Sequence, residues 1–574
     1  MSSPRSTAAS ARDVAPREVV AAQPATLNVL LYPEQLPGAS YPEQTNPRYS
    51  AASGKWGACF SGGGPRSCAA SLGQMRGLAA AGVLPFIGAI SCVSGGTWFG
   101  SAFTYARGSS VTELLGAYLE PQQITLDDIA SVAPACLGAG LLNLSNAQLA
   151  LFAAIELAWG TPHDKLWSRL INDTLLLPFG IASTSQYLSL DGTTVAAIVA
   201  RNRSLSSADF LVQNADRPFF IAGGTYITQS PVLSPSGDLA PRPGTVSALE
   251  RVSADIANLP GQQYGPFEYT AAYAGEPQLT LGQSGPFGGG FVENVGFAQQ
   301  APSAPPVNDV VTVGTSAYRF LLSDVAGSSS SAFASAVVEI GIPSVAPQFN
   351  YFAPQSAGTT PGRSVTIGDG GILENVGIVP LLRRGYRVVF AFVNSPYPIG
   401  SPDDGCVDGI DGQISRLFGH IPKSDFGNSQ NTQIFPTAQW PALVKGLKAA
   451  RAAGGTTVFA DRYRIEQPNP FAIPPYPDAE PVQVFWLYND LNQRWFDALP
   501  QPVRDLIGDR NLYYPLWNLP HFWTVFQNPT ELLWYSPQQI NLLAHMWAYA
   551  VKTGFTTSGA PFGFPLASEA TAPI

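Results

Sequence analysis

Cys59 to Phe99 reads CFSGGGPRSCAASLGQMRGLAAAGVLPFIGAISCVSGGTWF. This stretch holds two glycine turns of the same kind. Ser61-Gly62-Gly63-Gly64-Pro65-Arg66 follows the apolar run Trp56 to Phe60, and Ser94-Gly95-Gly96 follows Phe86 to Val93. Each turn gives way to a helix-like run, the second extending from Gly95 to Ala106. Strand, tight turn, helix, strand, tight turn, helix predicts a βαβ arrangement with neighbouring parallel strands. Both turns then fall at the carboxyl edge of one sheet, where open α/β sheets place ligands. A serine on one turn can face free backbone N–H groups on the other, which is the geometry of acyl transfer.

Working outward, Arg363 to Ile367 reads as a short strand, followed by Gly368-Asp369-Gly370-Gly371 and a helix over Ile372 to Leu382. Tyr386 to Val393 (YRVVFAFV) is a continuous apolar run suited to a buried parallel strand. A third strand–turn–helix–strand unit thus carries an aspartate at its turn. Phe219 to Ala222 and Val482 to Tyr488 are further strand candidates. Leu114 to Gly180 reads as mostly apolar helix, either a cap over the site or ordinary core. Ser316 to Ile342 reads as a helix interrupted at Gly327 and at Ser328 to Ser331. Residues 1–45 read as an irregular amino-terminal tail, 46–555 as a single catalytic domain and 556–574 as a carboxy-terminal tail. Gly289 to Phe297 (GGFVENVGF) echoes Gly370 to Ile378 (GGILENVGI), with Gly288 where the second copy has Asp369. Two similar junctions, or chance, account for that.

Composition bounds the function. The chain has 574 residues, 45% hydrophobic and only 12% charged, with net charge −9. That length suffices for a large core, and the acidic balance lacks the electrostatic footprint of a nucleic-acid binder. It also argues against simple electrostatic docking on anionic membranes, leaving apolar contact with neutral lipid open. The cysteines Cys59, Cys68, Cys92, Cys136 and Cys406 are odd in number and scattered, a pattern of neither disulfides nor a metal site. No signal peptide and no uninterrupted transmembrane-length run is seen. The expectation is a cytoplasmic protein with, at most, peripheral contact with a membrane or micelle. Among the carboxy-terminal aromatics, Trp495, Trp517, Trp523, Trp534 and Trp547 read as a packed helical layer rather than a membrane face.

The chemistry-bearing residues follow from the turns. The strand-to-helix elbow of serine hydrolases prefers small flanks in a G-x-S-x-G pattern. Here it is Cys92-Val93-Ser94-Gly95-Gly96, with cysteine in the leading position. Gly63 and Gly64 can present N–H groups to an oxyanion, Pro65 cannot donate, and Arg66 adds a fixed cation for a phosphate or carboxylate. A phosphate-binding loop is the other use of such a turn, but neither the dinucleotide fingerprint nor the P-loop lysine is present. None of His163, His420, His521 and His545 sits in a glycine turn after a buried strand. Asp369 does, so a Ser–Asp dyad without histidine is the better geometric expectation.

SGGGxR, a Ser-Gly elbow running into Thr-Trp, and an Asp-Gly turn, in that order, resemble the catalytic domain of the cytosolic phospholipase A2 family. That family is related to patatin-like lipid acyl hydrolases. The resemblance spans roughly Ser53 to Tyr549. It implies a three-layer α/β fold with a central, mostly parallel sheet, flanking helices and a helical cap. It implies Ser94 as nucleophile, Asp369 as general base and Gly63 and Gly64 as oxyanion hole. Arg66 would hold a substrate phosphate or support the oxyanion, with Gly62 and Gly95 also lining the substrate site. No cofactor and no metal is implied. The expected activity is a phospholipase A2 or lysophospholipase acting on a phospholipid or other acyl ester. The alternatives are an acyltransferase that passes the acyl group to an alcohol or amine, and an inactive lipid-binding protein. The calcium-binding C2 domain of some members is not expected in the roughly fifty residues that lead in.

Overall fold

The computed structural model describes residues 24–33, 41–227, 264–278, 280–282, 285–333, 347–424, 430–476, 480–512, 514–524, 533–555 and 560–566. Its centre is a 13-stranded sheet. In chain order the strands are β1 (Thr26–Pro33), β2 (Trp56–Phe60), β3 (Ile87–Val93), β4 (Phe219–Ile227), β5 (Tyr264–Thr270) and β6 (Tyr273–Glu276). They continue as β7 (Gly290–Glu293), β8 (Val310–Gly314), β9 (Gln348–Tyr351) and β10 (Arg363–Asp369). The last are β11 (Val388–Val393), β12 (Val458–Tyr463) and β13 (Val482–Tyr488).

The heart of the sheet is parallel, in the order β4-β3-β2-β11-β13. These strands are the apolar runs of the sequence, and β2, β3, β11 and β13 are buried at every position. A strand covered on both faces has no polar side to alternate with, which is why such runs lack a period of two. Antiparallel strands extend both flanks, β12 beside β13 and β5-β6-β7-β1-β8 beyond β4.

Helices cover both faces. Those used below are α1 (Gly64–Ala80), α2 (Gly95–Tyr105), α3 (Asn146–Ala158), α4 (His163–Ile171), α5 (Leu322–Ser329), α6 (Val379–Arg383), α7 (Trp440–Ala452) and α8 (Pro537–Gly554). Alternation along β2 assigns the layers. Phe60 turns to Phe99 of α2 at 5.9 Å, and Trp56 stacks on Phe555, just past α8, at 6.3 Å. Gly57 faces the opposite way, where its missing Cβ leaves room for Leu381 of α6. On the first face α1 lies against α8. Gly77 makes that approach close, since a Cβ there would stand 2.5 Å from Val551 Cβ.

Several expectations change. Residues 26–33, read as part of an irregular tail, form β1, paired antiparallel with β7 and β8. Leu27, Val29 and Leu31 alternate inward, so the strand has the period of two of a half-buried strand. The carboxy-terminal tail docks in part, with Phe562 and Phe564 each 6.3 Å from Phe485. The helix expected over Ile372 to Leu382 is a 3-10 turn at Gly370–Ile372 and only the short α6. Of the helix expected over Ser316 to Ile342, the described residues contain α5 and a 3-10 turn at Ser331–Phe333, and 334–346 lie outside them. The two GG-x-x-E-N copies are unlike. The first is strand β7 and the second a turn.

The carboxy-terminal aromatics divide. Trp495 and Trp547 are core residues, whereas Trp517 and Trp523 are part-exposed and meet edge to face at 6.0 Å. In the apolar block before Gly180, α4 buries Leu166, Trp167, Leu170 and Ile171 beside the site, while α3 leaves Leu151 exposed. Among the described residues, no single helix is long and apolar enough to cross a membrane.

Candidate active site

Ser94 and Asp369 come from strands that meet end to end on one edge of β4. Strand β3 runs parallel to β4 and ends with Val93 opposite Gly223. Strand β10 arrives from the other direction, antiparallel, and ends with Asp369 opposite Gly224. Consecutive residues of β4 thus set the two chain ends against each other. The sequence predicted a third turn of the same parallel kind. The aspartate instead sits at the end of an antiparallel strand, and the direction of approach is what brings the carboxylate to the serine.

At that junction Ser94 Oγ donates to Asp369 Oδ2 at 3.0 Å. Both residues are 3% exposed. Asp369 Oδ1 accepts from Gly371 N at 2.8 Å, and Ala332 N approaches Oδ2 at 3.4 Å. Burial pushes the Asp369 carboxyl up to about 7, against the pull of those N–H and O–H donors. No histidine stands between serine and aspartate. His545 lies on α8 beside Arg76 at 3.3 Å, and His521 faces Ser395 O at 3.4 Å.

The backbone around Ser94 is a strained strand-to-helix turn. Ser94 has φ 53 and ψ −120, a left-handed strain that a residue with a Cβ holds only when its surroundings impose it. A Cβ at Gly95 would land on the Gly64 carbonyl, so the first glycine loop and the elbow interlock. Cys92 replaces the elbow's leading glycine because the opposite wall gives way. Its Sγ fills the space beside Gly100 of α2, where a Cβ would stand only 2.6 Å from the sulfur.

The first loop supplies donors. Gly63 has φ 138 and Gly64 φ 54, backbone states open to glycine, and the turn leads directly into α1. Among the described residues neither Gly63 N–H nor Gly64 N–H has a protein acceptor. The Gly62 N–H donates to Asn375 O at 3.0 Å. Gly62 lines the site but offers no donor, and its Cα faces Asn375 Oδ1 and Ser94 Cβ. Arg66 is buried. Its Nε donates to Asn394 O at 3.1 Å and its Nη1 to Phe522 O at 3.0 Å. No carboxylate among the described residues pairs with it. Burial draws its guanidinium below the ordinary value, with Tyr535 and Asp411 acting the other way.

Sequence reasoning missed the residues that brace this constellation. Ser329 and Ala332 lie in and just past the serine run, which read only as an interruption of a helix. Asn375 belongs to the ENVG motif, noticed as a repeat but given no role. Asn394 had only its place after the apolar β11 run to recommend it.

No protein-family model matches the sequence, and no curated protein matches it either. Among solved structures the chain is similar to human GIVD cytosolic phospholipase A2, with 11% identity and TM-score 0.45 over 89% of this chain and 64% of that one. The same human protein in complex with methyl gamma-linolenyl fluorophosphonate gives 12% identity and TM-score 0.41, over 89% and 61%. This chain therefore spans less than two thirds of those chains.

Proposed function

We propose that the chain is a serine acyl hydrolase acting on lipid esters, of phospholipase A2 or lysophospholipase type. The observation that carries this is the direct 3.0 Å hydrogen bond from Ser94 Oγ to Asp369 Oδ2 at a strained elbow. The N–H groups of Gly63 and Gly64, without a protein acceptor among the described residues and on the loop packed against that elbow, add to it. The motif order read from the sequence supplies the lipid class.

In this mechanism Asp369 takes the Ser94 hydroxyl proton as Oγ attacks the ester carbonyl carbon. The carbonyl oxygen becomes an oxyanion stabilised by Gly63 and Gly64 N–H. Collapse of the tetrahedral intermediate breaks the bond to the leaving alcohol, which receives the proton from Asp369. Water then attacks the acyl-serine, its proton going to Asp369. Collapse releases the carboxylic acid and returns the proton to Ser94. A carboxyl poised near neutrality suits a group that accepts and returns a proton in each half-reaction. Arg66 holds positive charge behind the oxyanion loop, available to a phosphate or to the oxyanion.

Product analysis with a phospholipid tests this. Free fatty acid from the wild type, lost in Asp369→Asn, is expected. An acylated alcohol or amine in its place would assign the chain as an acyltransferase. No turnover of any ester overturns the proposal. Arg66→Ala should impair phospholipid more than neutral ester, whereas equal losses would leave Arg66 without a phosphate role.

A further inference from the structure

The serine run that ends α5 touches the surroundings of both Ser94 and Asp369. Ser329 is fully buried. Its Oγ accepts from Ser94 N at 3.1 Å, donates to Gly223 O at 2.6 Å and meets Thr97 Oγ1 at 2.8 Å. One hydroxyl thus joins the nucleophile's own amide, the β4 residue opposite the end of β3, and the first turn of α2. A hydroxyl has one donor and two acceptor sites, and these contacts use all of them. Three residues on, Ala332 N approaches Asp369 Oδ2 at 3.4 Å. On the other side, Ser328 Oγ donates to Ile367 O at 2.7 Å, in the strand that carries Asp369.

We propose that Ser329 is a positioning residue for Ser94, the centre of a clamp made by Ser328, Ser329 and Ala332 that fixes both halves of the dyad. This rests on the hydrolase assignment above. In nucleophile–base pairs a third group normally orients the base. Here the base is a short aspartate with little freedom of its own. The part that needs holding is the serine, whose positive φ is a strained state that relaxes unless its amide is tied. Ser329 ties it. Without that hydroxyl the buried Ser94 N–H loses its partner, and the elbow can turn Oγ away from Asp369. A misplacement on the order of 1 Å at the reacting atom costs about a hundredfold in rate.

Ser330 provides the control. Its Oγ makes an equal set of buried bonds, accepting from Trp98 Nε1 at 2.8 Å and Trp167 Nε1 at 3.3 Å and donating to Ala326 O at 2.7 Å, but touches neither member of the dyad. The test is the rate at which a fluorophosphonate probe labels the full chain, measured beside Tm for wild type, Ser329→Ala, Ser330→Ala and Thr97→Val. Ser329→Ala should slow labelling by about tenfold to a hundredfold while losing no more Tm than Ser330→Ala, and Ser330→Ala should label at close to the wild-type rate. Thr97→Val, which removes one anchor of Ser329, should shift the rate in the same direction. With an ester substrate the loss should fall on kcat rather than KM. Wild-type labelling rates in both Ser329→Ala and Thr97→Val overturn the clamp, as do losses in Ser329→Ala and Ser330→Ala that merely track Tm. A wild-type chain that takes no label at all overturns the hydrolase assignment itself.

Discussion

At Asp369 burial and function pull against each other. A carboxyl held at about 7 in the folded state binds its proton more tightly than in the unfolded chain. Folding stability attributable to this group is therefore fully present below about pH 4 and is lost as pH rises towards 7. Asp369→Asn removes the titration. The stability of wild type relative to Asp369→Asn should fall, by on the order of a few kcal/mol, between pH 4 and pH 7.5. Urea unfolding at both pH values checks it, and a constant difference contradicts it. Activity should move in the opposite sense. Only the carboxylate accepts the serine proton, so kcat/KM should rise with an apparent pKa near 7. A profile flat from pH 5 to pH 8 would contradict Asp369 as the base. Ser94 and Asp369 were legible in the sequence as candidates, since each follows an apolar run and precedes glycine. Their supports were not. Ser329, Asn375 and Asn394 act through hydrogen bonds to distant segments, and nothing in local spacing marks such a partner.

At the scale of elements, the site is a joint between the glycine loop before α1 and the elbow before α2. Cys92 fits because Gly100 yields. Gly100→Ala should cost about 1–3 kcal/mol, the usual range for overpacking, because its Cβ would meet Cys92 Sγ at 2.6 Å. In a Cys92→Gly background the same change should cost less, with the Phe220 ring, 2.8 Å from that Cβ, as the remaining contact. A double-mutant cycle on Tm measures this, and simple additivity would contradict the packing account. The parallel centre was readable because strands buried on both faces are continuous apolar runs. The direction of β10 was not. A strand ending in an aspartate turn looks the same from sequence whether it runs parallel or antiparallel, and the pairing of Asp369 with Gly224 is a long-range choice. The shortness of α6 was also hidden, because Glu374 binds the amides of Val376, Gly377 and Val379 and so holds a non-helical loop where helical spacing suggested a helix.

Across the whole molecule, a buried ionic network ties the amino-terminal residues to the sheet. Arg384 Nε meets Glu43 at 2.7 Å and its Nη1 meets Glu268 at 2.8 Å. Arg383 pairs with Glu276 at 2.9 Å and with Glu268 at 3.2 Å. Tyr273 OH donates to Glu43 and Tyr41 covers the Arg384 guanidinium at 4.1 Å. Removing one partner of such a network leaves a buried charge uncompensated, at a cost of about 3–5 kcal/mol. Glu43→Ala should lower stability by that order, and deletion of residues 1–45, which also strips β1, by more. Thermal unfolding measures both, and an unchanged Tm after the deletion would restore the reading of those residues as a mere tail. The amino-terminal strand was overlooked because Pro, Ala and Ser around it dominate the composition. Its own alternation of Leu27, Val29 and Leu31 was there to be read.

The central claim is that Ser94 is a nucleophile activated by Asp369 with no histidine between them. Mass-spectrometric mapping of a fluorophosphonate adduct tests it most directly. A single adduct on the peptide containing Ser94, absent from Ser94→Ala and from Asp369→Asn, is the predicted result. An adduct on any other residue, or one that forms on Asp369→Asn at the wild-type rate, would contradict it.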